Sequence, residues 1–190
     1  MGKKLVKAAF LDRDGAMIHD RPGFYLRTPD KLKLYPYTPA ALKLLRKAGF
    51  KLVIITNQAG IGRGWITHAT LAKIHGKLKR LLKAKGVTLD GIYYCPHDPK
   101  APCNCRKPKT HMPLRAAREL GLTMKGSVVF GDKRADVDMG RRLGITTVHL
   151  KTGHGRSQRA IHGKALKPTY TAKNLLQAAR WAVRHADASR

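Results

Sequence analysis

Acidic side chains are scarce in this chain. Against 39 Lys and Arg there are 11 Asp and Glu, and Glu119 is the single glutamate. The formal net charge is +28 over 190 residues. A field of that sign attracts polyanions, including nucleic acid, acidic membrane surfaces and small phosphates, but it specifies no site. Long apolar runs are also lacking. No stretch approaches the ~20 apolar residues of a membrane-spanning helix, so no helical span is expected. The opening Met-Gly-Lys-Lys-Leu-Val-Lys is expected to lead into a strand rather than to act as a signal peptide, which implies a cytoplasmic protein. Cysteine is confined to positions 95, 103 and 105. An odd set clustered near a histidine argues for metal and against a disulfide framework. No internal repeat or low-complexity tract is visible, and the length suits one domain over residues 1–190 with a substantial core.

The few carboxylates that remain are concentrated. Asp12 and Asp14 end the apolar run Val6 to Leu11, and Gly15 follows at once. An apolar run bounded by a turn signal predicts a buried strand. In an open parallel sheet the carboxyl edge of such a strand is where ligands bind. The chemistry open to Asp-x-Asp is specific. One carboxylate can attack phosphorus to form an aspartyl phosphate. The other can protonate the leaving group and later take a proton from water. Mg²⁺ held by carboxylate oxygens would offset the anionic charge that otherwise repels the nucleophile. Asp132 and Asp136 repeat the pattern after Ser127 to Gly131, with Asp132 expected as a further Mg²⁺ ligand and Asp136 as its supporting partner or a helix N-terminal acid.

Between these points strands and helices alternate. Further strands are predicted at Lys51 to Thr56, Gly91 to Cys95, Ser127 to Gly131 and Thr146 to Leu150. Residues 17–37, with three prolines, read as a loop. Helices are expected from Leu42 to a stop at Gly49, after a Thr67 cap, from Pro113 to Leu120, from Asp136 to Leu143, and over 172–185, with a loop at 152–168. Such alternation specifies an α/β doubly wound parallel sheet. Asp12, Asp14, Thr56 and Asp132 then share one sheet edge. The Lys73, Lys77, Lys79, Arg80 and Lys83 stripe of the helix after Thr67 reads as a solvated face.

Cys95, His97, Cys103 and Cys105 place four soft ligands within eleven positions. Three thiolates and one imidazole suit a closed tetrahedral Zn²⁺ site that leaves no position for activated water, hence a structural clamp on the loop. Arg106 and Lys107 follow directly, so the clamp positions two cations suited to phosphoryl oxygens. The remaining histidines show no ligand spacing and are taken as structural or solvated.

The segments Phe-Leu-Asp12-Arg-Asp14-Gly, Thr56-Asn57-Gln58-Ala-Gly-Ile-Gly-Arg-Gly, Cys95-Pro-His97, Cys103-Asn-Cys105-Arg106-Lys107-Pro and Gly-Asp132-Lys133 stand in the order found in the haloacid dehalogenase superfamily. Over residues 5–155 the chain resembles that superfamily's D-glycero-D-manno-heptose 1,7-bisphosphate 7-phosphatases. The resemblance implies a Rossmann-like fold with a zinc loop at about 95–105 and no large cap domain. It implies Asp12 as nucleophile and Asp14 as general acid/base. Mg²⁺ would lie on Asp12, the Asp14 backbone carbonyl and Asp132, and Zn²⁺ on the Cys/His loop. Thr56 and Lys107 would hold the phosphoryl group and Arg106 would recognise substrate. Asp20, Asn57 and Lys133 complete the expected phosphate- and substrate-binding set. The implied partner is a small phosphorylated sugar, handled by a monomer in the making of surface glycoconjugates, with no membrane and no preferred nucleic acid.

Two positions depart from the family pattern: Ala16 stands where Thr is usual, and Thr110-His111 replaces Pro-Gly. Histidinol-phosphate phosphatases resemble the Cys/His loop as well, and polynucleotide 3′-phosphatases share the Thr-Asn-Gln segment. A non-catalytic nucleic-acid-binding role on the same scaffold is the alternative of another class; its mark would be steeply salt-dependent binding without turnover.

Overall fold

The computed structural model describes residues 6–186. The Met1 to Leu5 part of the leader expectation therefore lies outside the described residues. The elements are β1 (Val6–Leu11), α1 (Thr38–Lys47), β2 (Lys51–Asn57), α2 (His68–Lys83), β3 (Gly91–Cys95), α3 (His111–Leu120), β4 (Leu122–Gly131), α4 (Arg134–Arg142), β5 (Thr146–Leu150), α5 (Gly155–His162), β6 (Tyr170–Ala172) and α6 (Leu175–Ala186). The strands form one parallel sheet in the order β3-β2-β1-β4-β5-β6. No helix among the described residues is long and apolar enough to cross a membrane.

Both faces of the central strands are apolar, and the period of two sorts their side chains between two cores. Ala9 and Leu11 of β1, Leu52 and Ile54 of β2, and Val128 and Phe130 of β4 pack with Leu42 and Leu45 of α1, Ile74, Leu78 and Leu82 of α2, and the small residues of α6. Ala8, Phe10, Val53, Ile55 and Val129 point the other way, toward Met112 and Ala116 of α3 and Met139 of α4. Each such Leu, Ile or Phe contributes about 1.5–3 kcal/mol by leaving water. The central strands are therefore the most firmly held part of the molecule.

Helix caps follow the sequence closely. The Thr67 hydroxyl accepts from the Thr70 N–H at 3.1 Å, and α3 stops at Gly121. Three expectations need correction. The stretch 152–168 is not simply a loop, because α5 occupies its middle. A sixth strand, β6, precedes α6 and shortens the closing helix, since three residues are too few to declare a period. Strand β4 begins at Leu122 rather than Ser127, with a register shift between Lys7 and Ala9 on β1 that absorbs the Lys125–Gly126 polar interruption.

The topology locates the site. From β1 the chain winds outward through β2 and β3, then returns to the opposite side of β1 with β4. The crevice at the carboxyl ends of β1 and β4 is the switch point of the sheet, where helices leave in opposite directions and a ligand finds room.

Candidate active site

At that crevice the Asp12 N–H donates to the Phe130 carbonyl at 2.8 Å, tying the end of β1 to β4. Beyond it lies a pit of about 40 Å³ lined by Asp12, Asp14, Thr56, Asn57, Lys107, Lys133, Ala135 and Asp136. Space of this size admits a few water-sized atoms, so it accepts the head of a ligand and not its body.

Lys107 enters from the start of the segment leading to α3. Its buried Nζ donates to Asp12 Oδ1 at 2.9 Å, Asp136 Oδ1 at 2.6 Å and the Ile55 carbonyl at 2.7 Å. Burial works against its charge, but Asp12 and Asp136 outweigh this and raise its pKa above the ordinary lysine value. Asn57, at the end of β2, holds the Lys107 backbone: its Oδ1 accepts from the Lys107 N–H at 3.0 Å and its Nδ2 donates to the carbonyl at 3.2 Å. The amide expected on a ligand is thus committed to placing the lysine. Arg106 has its Nη1 buried without a hydrogen-bond partner among the described residues, and it does not line this pit.

Asp14 is held differently. Arg13 turns inward, fully buried, and its Nη2 donates to both Asp14 oxygens at 3.0 and 2.9 Å. Gln58 Nε2 donates to Asp14 Oδ2 and to Thr56 Oγ1, each at 2.8 Å. Burial pushes the Asp14 carboxyl up, but the Arg13 guanidinium prevails and holds it below the usual carboxylate range. Arg13 Nη1 lies 3.0 Å from His75 Nε2. Burial, reinforced by the Arg13 charge, pushes His75 down to about 3, so its ring is neutral and accepts from the guanidinium.

Asp132, at the end of β4, is 0 % exposed. Its Oδ2 accepts from the His154 N–H at 2.7 Å, and its Oδ1 has no partner among the described residues. Burial, with Asp12 and Asp136 nearby, raises its pKa well above the usual range. Gly15, at φ +86°, passes so close that a Cβ there would meet Asp132 Oδ2 at 2.2 Å. The glycine after Asp14 is therefore required by the fourth strand as well as by the turn. Asp20 sits at the rim, 3.4 Å from Lys133 Nζ and 3.3 Å from His154 Nε2.

Beside Lys107 the Cys/His loop closes on itself. Donor atoms of Cys95, His97, Cys103 and Cys105 all lie within 4.8 Å of one another. The Cys95–Cys103 sulfurs are 3.7 Å apart, and His97 Nδ1 is 3.5 and 3.2 Å from the sulfurs of Cys95 and Cys105. A tetrahedral ion with metal–sulfur bonds of about 2.3 Å has sulfur–sulfur edges of about 3.8 Å and nitrogen–sulfur edges of about 3.6 Å. The cluster fits a closed four-coordinate site.

Comparison with known proteins bears on what such a crevice does. The family model described as polynucleotide kinase 3 phosphatase matches residues 7–139, and the HAD-hydrolase-like model matches residues 104–178. A probable D-glycero-D-manno-heptose-1,7-bisphosphate 7-phosphatase of Thermoplasma volcanium is 36% identical over 139 residues, 73% of this chain and 94% of that protein. This chain belongs to the haloacid dehalogenase-like phosphatases. Another relative, the histidine biosynthesis bifunctional protein HisB of Blochmanniella floridana, is 37% identical over 78% of this chain but only 42% of its own length. Among solved structures, the D,D-heptose 1,7-bisphosphate phosphatase of B. bronchiseptica, complexed with magnesium and phosphate, superposes with a TM-score of 0.86 at 32% identity, covering 94% of this chain and 99% of the other.

As a phosphatase of this family the chain brings four carboxylates, Asp12, Asp14, Asp132 and Asp136, against three cations, Arg13, Lys107 and Lys133. Burial and the neighbouring carboxylates raise the Asp132 and Asp136 pKa values, and a metal ion among them would offset that mutual repulsion. Oxygen donors of Asp12, Asp132 and Asp136 lie within 4.8 Å of one another. Both Asp136 oxygens are taken, Oδ1 by Lys107 and Oδ2 by the Lys133 N–H at 3.1 Å, whereas Lys107 occupies Oδ1 alone of Asp12 and Asp132 Oδ1 is orphaned, so Asp12 and Asp132 are the carboxylates with an oxygen free for a hard cation. The Asp14 side chain is outside this cluster.

Several contributors to the phosphatase site carried no sequence signal of their own. Arg13 drew no reading and His75 was taken with the other histidines as structural or solvated, yet Arg13 is buried against Asp14 and His75 against Arg13. His154, without ligand spacing, reaches Asp132 through its backbone and Asp20 through its ring. Gln58 could have been found from its place in the Thr56-Asn57-Gln58 segment, and Asp136 was already weighed as a supporting acid. One departure from the family pattern follows directly on Gly15, which abuts Asp132, and the other lies toward the surface. Ala16 is fully buried in the larger core, and His111 lines a separate surface cavity with Tyr93 and Glu119.

Proposed function

We propose that this phosphatase hydrolyses a sugar phosphomonoester through an aspartyl phosphate on Asp12, and that its substrate is D-glycero-D-manno-heptose 1,7-bisphosphate, losing the 7-phosphate. The observation that carries the mechanism is the partnerless buried Asp132 Oδ1 beside Asp12, two residues before an independently clamped Asp14. The relatives' names support the substrate.

In this reading Asp12 attacks phosphorus while the ester P–O bond breaks, and Asp14 delivers a proton to the departing sugar oxygen. Water then attacks the phosphorus of the Asp12 acyl phosphate, Asp14 takes the water proton, and inorganic phosphate leaves with Asp12 regenerated. Mg²⁺ on Asp12, Asp132 and the Asp14 carbonyl supplies charge neutralisation when bound. Lys107, whose three N–H donors are already engaged, acts on the phosphoryl group through its charge, Thr56 holds a phosphoryl oxygen, and Arg106 serves the substrate. A phosphate dianion beside Asp14 opposes the Arg13 field, which favours the protonated form that the first step needs. Lys133 and Asp20, on the rim, face the leaving group. Zn²⁺ in the Cys/His loop fixes the approach of Arg106 and Lys107. The chain acts as a monomer in the cytoplasm.

The polynucleotide family model and the net charge of +28 favour a second reading, the same chemistry on a 3′-phosphorylated nucleic acid. Phosphate release with Mg²⁺ from heptose 1,7-bisphosphate, histidinol phosphate and a 3′-phosphorylated oligonucleotide separates the possibilities, with Asp12→Asn as control. Preference for the heptose, lost in the variant, is expected. Preference for either other substrate keeps the mechanism and overturns the assignment.

A further inference from the structure

Three cavities outside the pit hold several cations each, and they differ in what else their walls contain. The one of about 480 Å³ beside Asp20 includes that carboxylate, which repels an anion. In the one of about 650 Å³ beside Trp65, the guanidinium groups of Arg27 and Arg63 already lie over the indole at 5.2 and 4.8 Å. The third, of about 510 Å³, is lined by Lys151, Arg156, Arg159, Ala160 and Lys173. Four cations converge there, and among the described residues no acid or aromatic ring shares the wall.

The fold brings these four together from separate segments. Lys151 directly follows β5 and Lys173 directly follows β6, so they stand at the same ends of two paired strands. Paired strands run about 4.8 Å apart. Arg156 and Arg159 are three residues apart on α5 and share one face of it. Arg159 Nη1 donates to Thr171 Oγ1 of β6 at 3.4 Å, which ties α5 to the edge strand. All four cations are exposed, and none has a carboxylate partner among the described residues. The scarce acids serve other exposed cations instead: Asp90 pairs with Arg46 and Lys51, Asp98 with Arg63, Glu119 with Arg115, and Asp138 with Arg134. Like charges gathered in this way repel one another and favour a bound anion.

We propose that this cavity is a docking site for the phosphodiester backbone of single-stranded nucleic acid, separate from the catalytic pit, with which it shares no lining residue. A row of cations on adjacent strand ends and one helix face suits a chain that carries one charge per nucleotide. The planar forks of two arginines suit its phosphate oxygens. Concavity selects the strand: a flexible single strand can enter, whereas a duplex is stiff over about 150 base pairs and a membrane is flat. Nor does α5 offer the apolar face that a membrane-surface helix needs, since Ile161, 71% exposed, is its one large apolar side chain. The site gives part of the net charge of +28 a use that hydrolysis of a small phosphate ester does not require.

The test measures binding of an oligothymidylate of about twelve nucleotides ending in a 3′-hydroxyl, which offers the pit no phosphomonoester. Two variants are compared with the wild type. Arg156→Gln/Arg159→Gln/Lys173→Gln removes three charges from the cavity, and Lys73→Gln/Lys79→Gln/Lys83→Gln removes three exposed charges from α2. The cavity variant should bind at least about tenfold more weakly in low salt, with a plot of log affinity against log salt shallower by about 2. The α2 variant should lose less than about threefold. Equal losses in the two variants overturn the site, because overall charge alone is then being read, and so does a wild type that binds no oligonucleotide. Tighter binding to a duplex of the same length, or cavity-dependent capture by acidic phospholipid vesicles in place of the oligonucleotide, also overturns it. Acetylation of the wild type, read by mass spectrometry, needs no variant to fold. The oligonucleotide should shield Lys151 and Lys173 at least about threefold more than Lys73 and Lys83, and uniform shielding overturns the site. None of these readouts depends on turnover, so the site and the phosphatase reading stand or fall separately.

Discussion

Asn57 grips the backbone of Lys107 from both sides, accepting from its N–H at 3.0 Å and donating to its carbonyl at 3.2 Å. The pair joins the end of β2 to the segment leaving the Cys/His loop, fifty residues later, and sets where the lysine enters the pit. Asn57→Ala should therefore lower kcat by about tenfold or more with a smaller change in KM, because the cation that must meet the phosphoryl group is displaced while binding elsewhere persists. Steady-state kinetics with unchanged far-ultraviolet circular dichroism checks this. An unaltered kcat would mean that Lys107 is placed by Asp12 and Asp136 alone.

Asp12→Asn should abolish turnover, by at least about a thousandfold, as removal of a covalent nucleophile does. Asp14→Asn should instead slow the second half of the cycle. With an activated ester such as p-nitrophenyl phosphate, whose leaving group needs little protonation, a phosphoryl adduct on Asp12 should accumulate and be visible by intact mass. Its absence on rapid quenching would argue for direct attack by water.

Arg13 should set the pH range of turnover. Its guanidinium lowers the Asp14 pKa, so Arg13→Gln should raise it and extend the alkaline limb of the kcat profile to higher pH. A profile of unchanged shape would remove Asp14 from the acid role.

His75 makes a separate prediction for stability. Its pKa is pushed down to about 3 in the folded protein, against 6.5 for an ordinary histidine. Below pH 6.5 the unfolded chain takes up a proton that the folded chain refuses, so stability falls as the pH drops from 6.5 toward 3. Replacing the ring by a neutral group, as in His75→Gln, should reduce the decline in Tm between pH 7 and pH 4 relative to the wild type. Parallel curves for the two proteins would show that this ring is not the group responsible.

Loss of zinc should disturb the active site without touching it. Cys105→Ser, or prolonged chelation, should release one zinc per chain by elemental analysis, loosen residues 96–106 to proteolysis and lower kcat, because Arg106 and Lys107 leave the loop directly. Restored activity on adding Zn²⁺ to the chelated wild type would locate the effect. Full activity in a metal-free loop would show that Asn57 suffices to place Lys107.

How much of this was legible beforehand follows from the range of the interactions. Periodicity and capping are local, so β1 to β3, β5 and the caps at Thr67 and Gly121 could be read from neighbours in the chain. The Asp12/Asp14 pair and the Cys95–Cys105 cluster were equally legible, since their ligands are close in sequence. The short strand β6 and helix α5 were not, because three residues or two turns carry too little periodicity; β6 is held by its pairing with β5, and α5 meets the start of α4 where Gln158 accepts from the Arg134 N–H at 3.0 Å. The roles of Arg13, His75, Gln58 and His154 depended on distances across the fold. Arg13 is a charge in a strongly basic chain, and only burial between Asp14 and His75 distinguishes it from the rest.

By itself, then, the order of residues determined the sheet, the acids at its edge and the metal-ligand loop, because each is written in spacings of a few positions. Tertiary structure decided which amide holds a lysine rather than a ligand, which carboxylate is left without a partner, and which cations gather around Trp65. Those outcomes depend on desolvation and on contacts between segments far apart in the chain, and neither is set until the sheet brings the strand ends together.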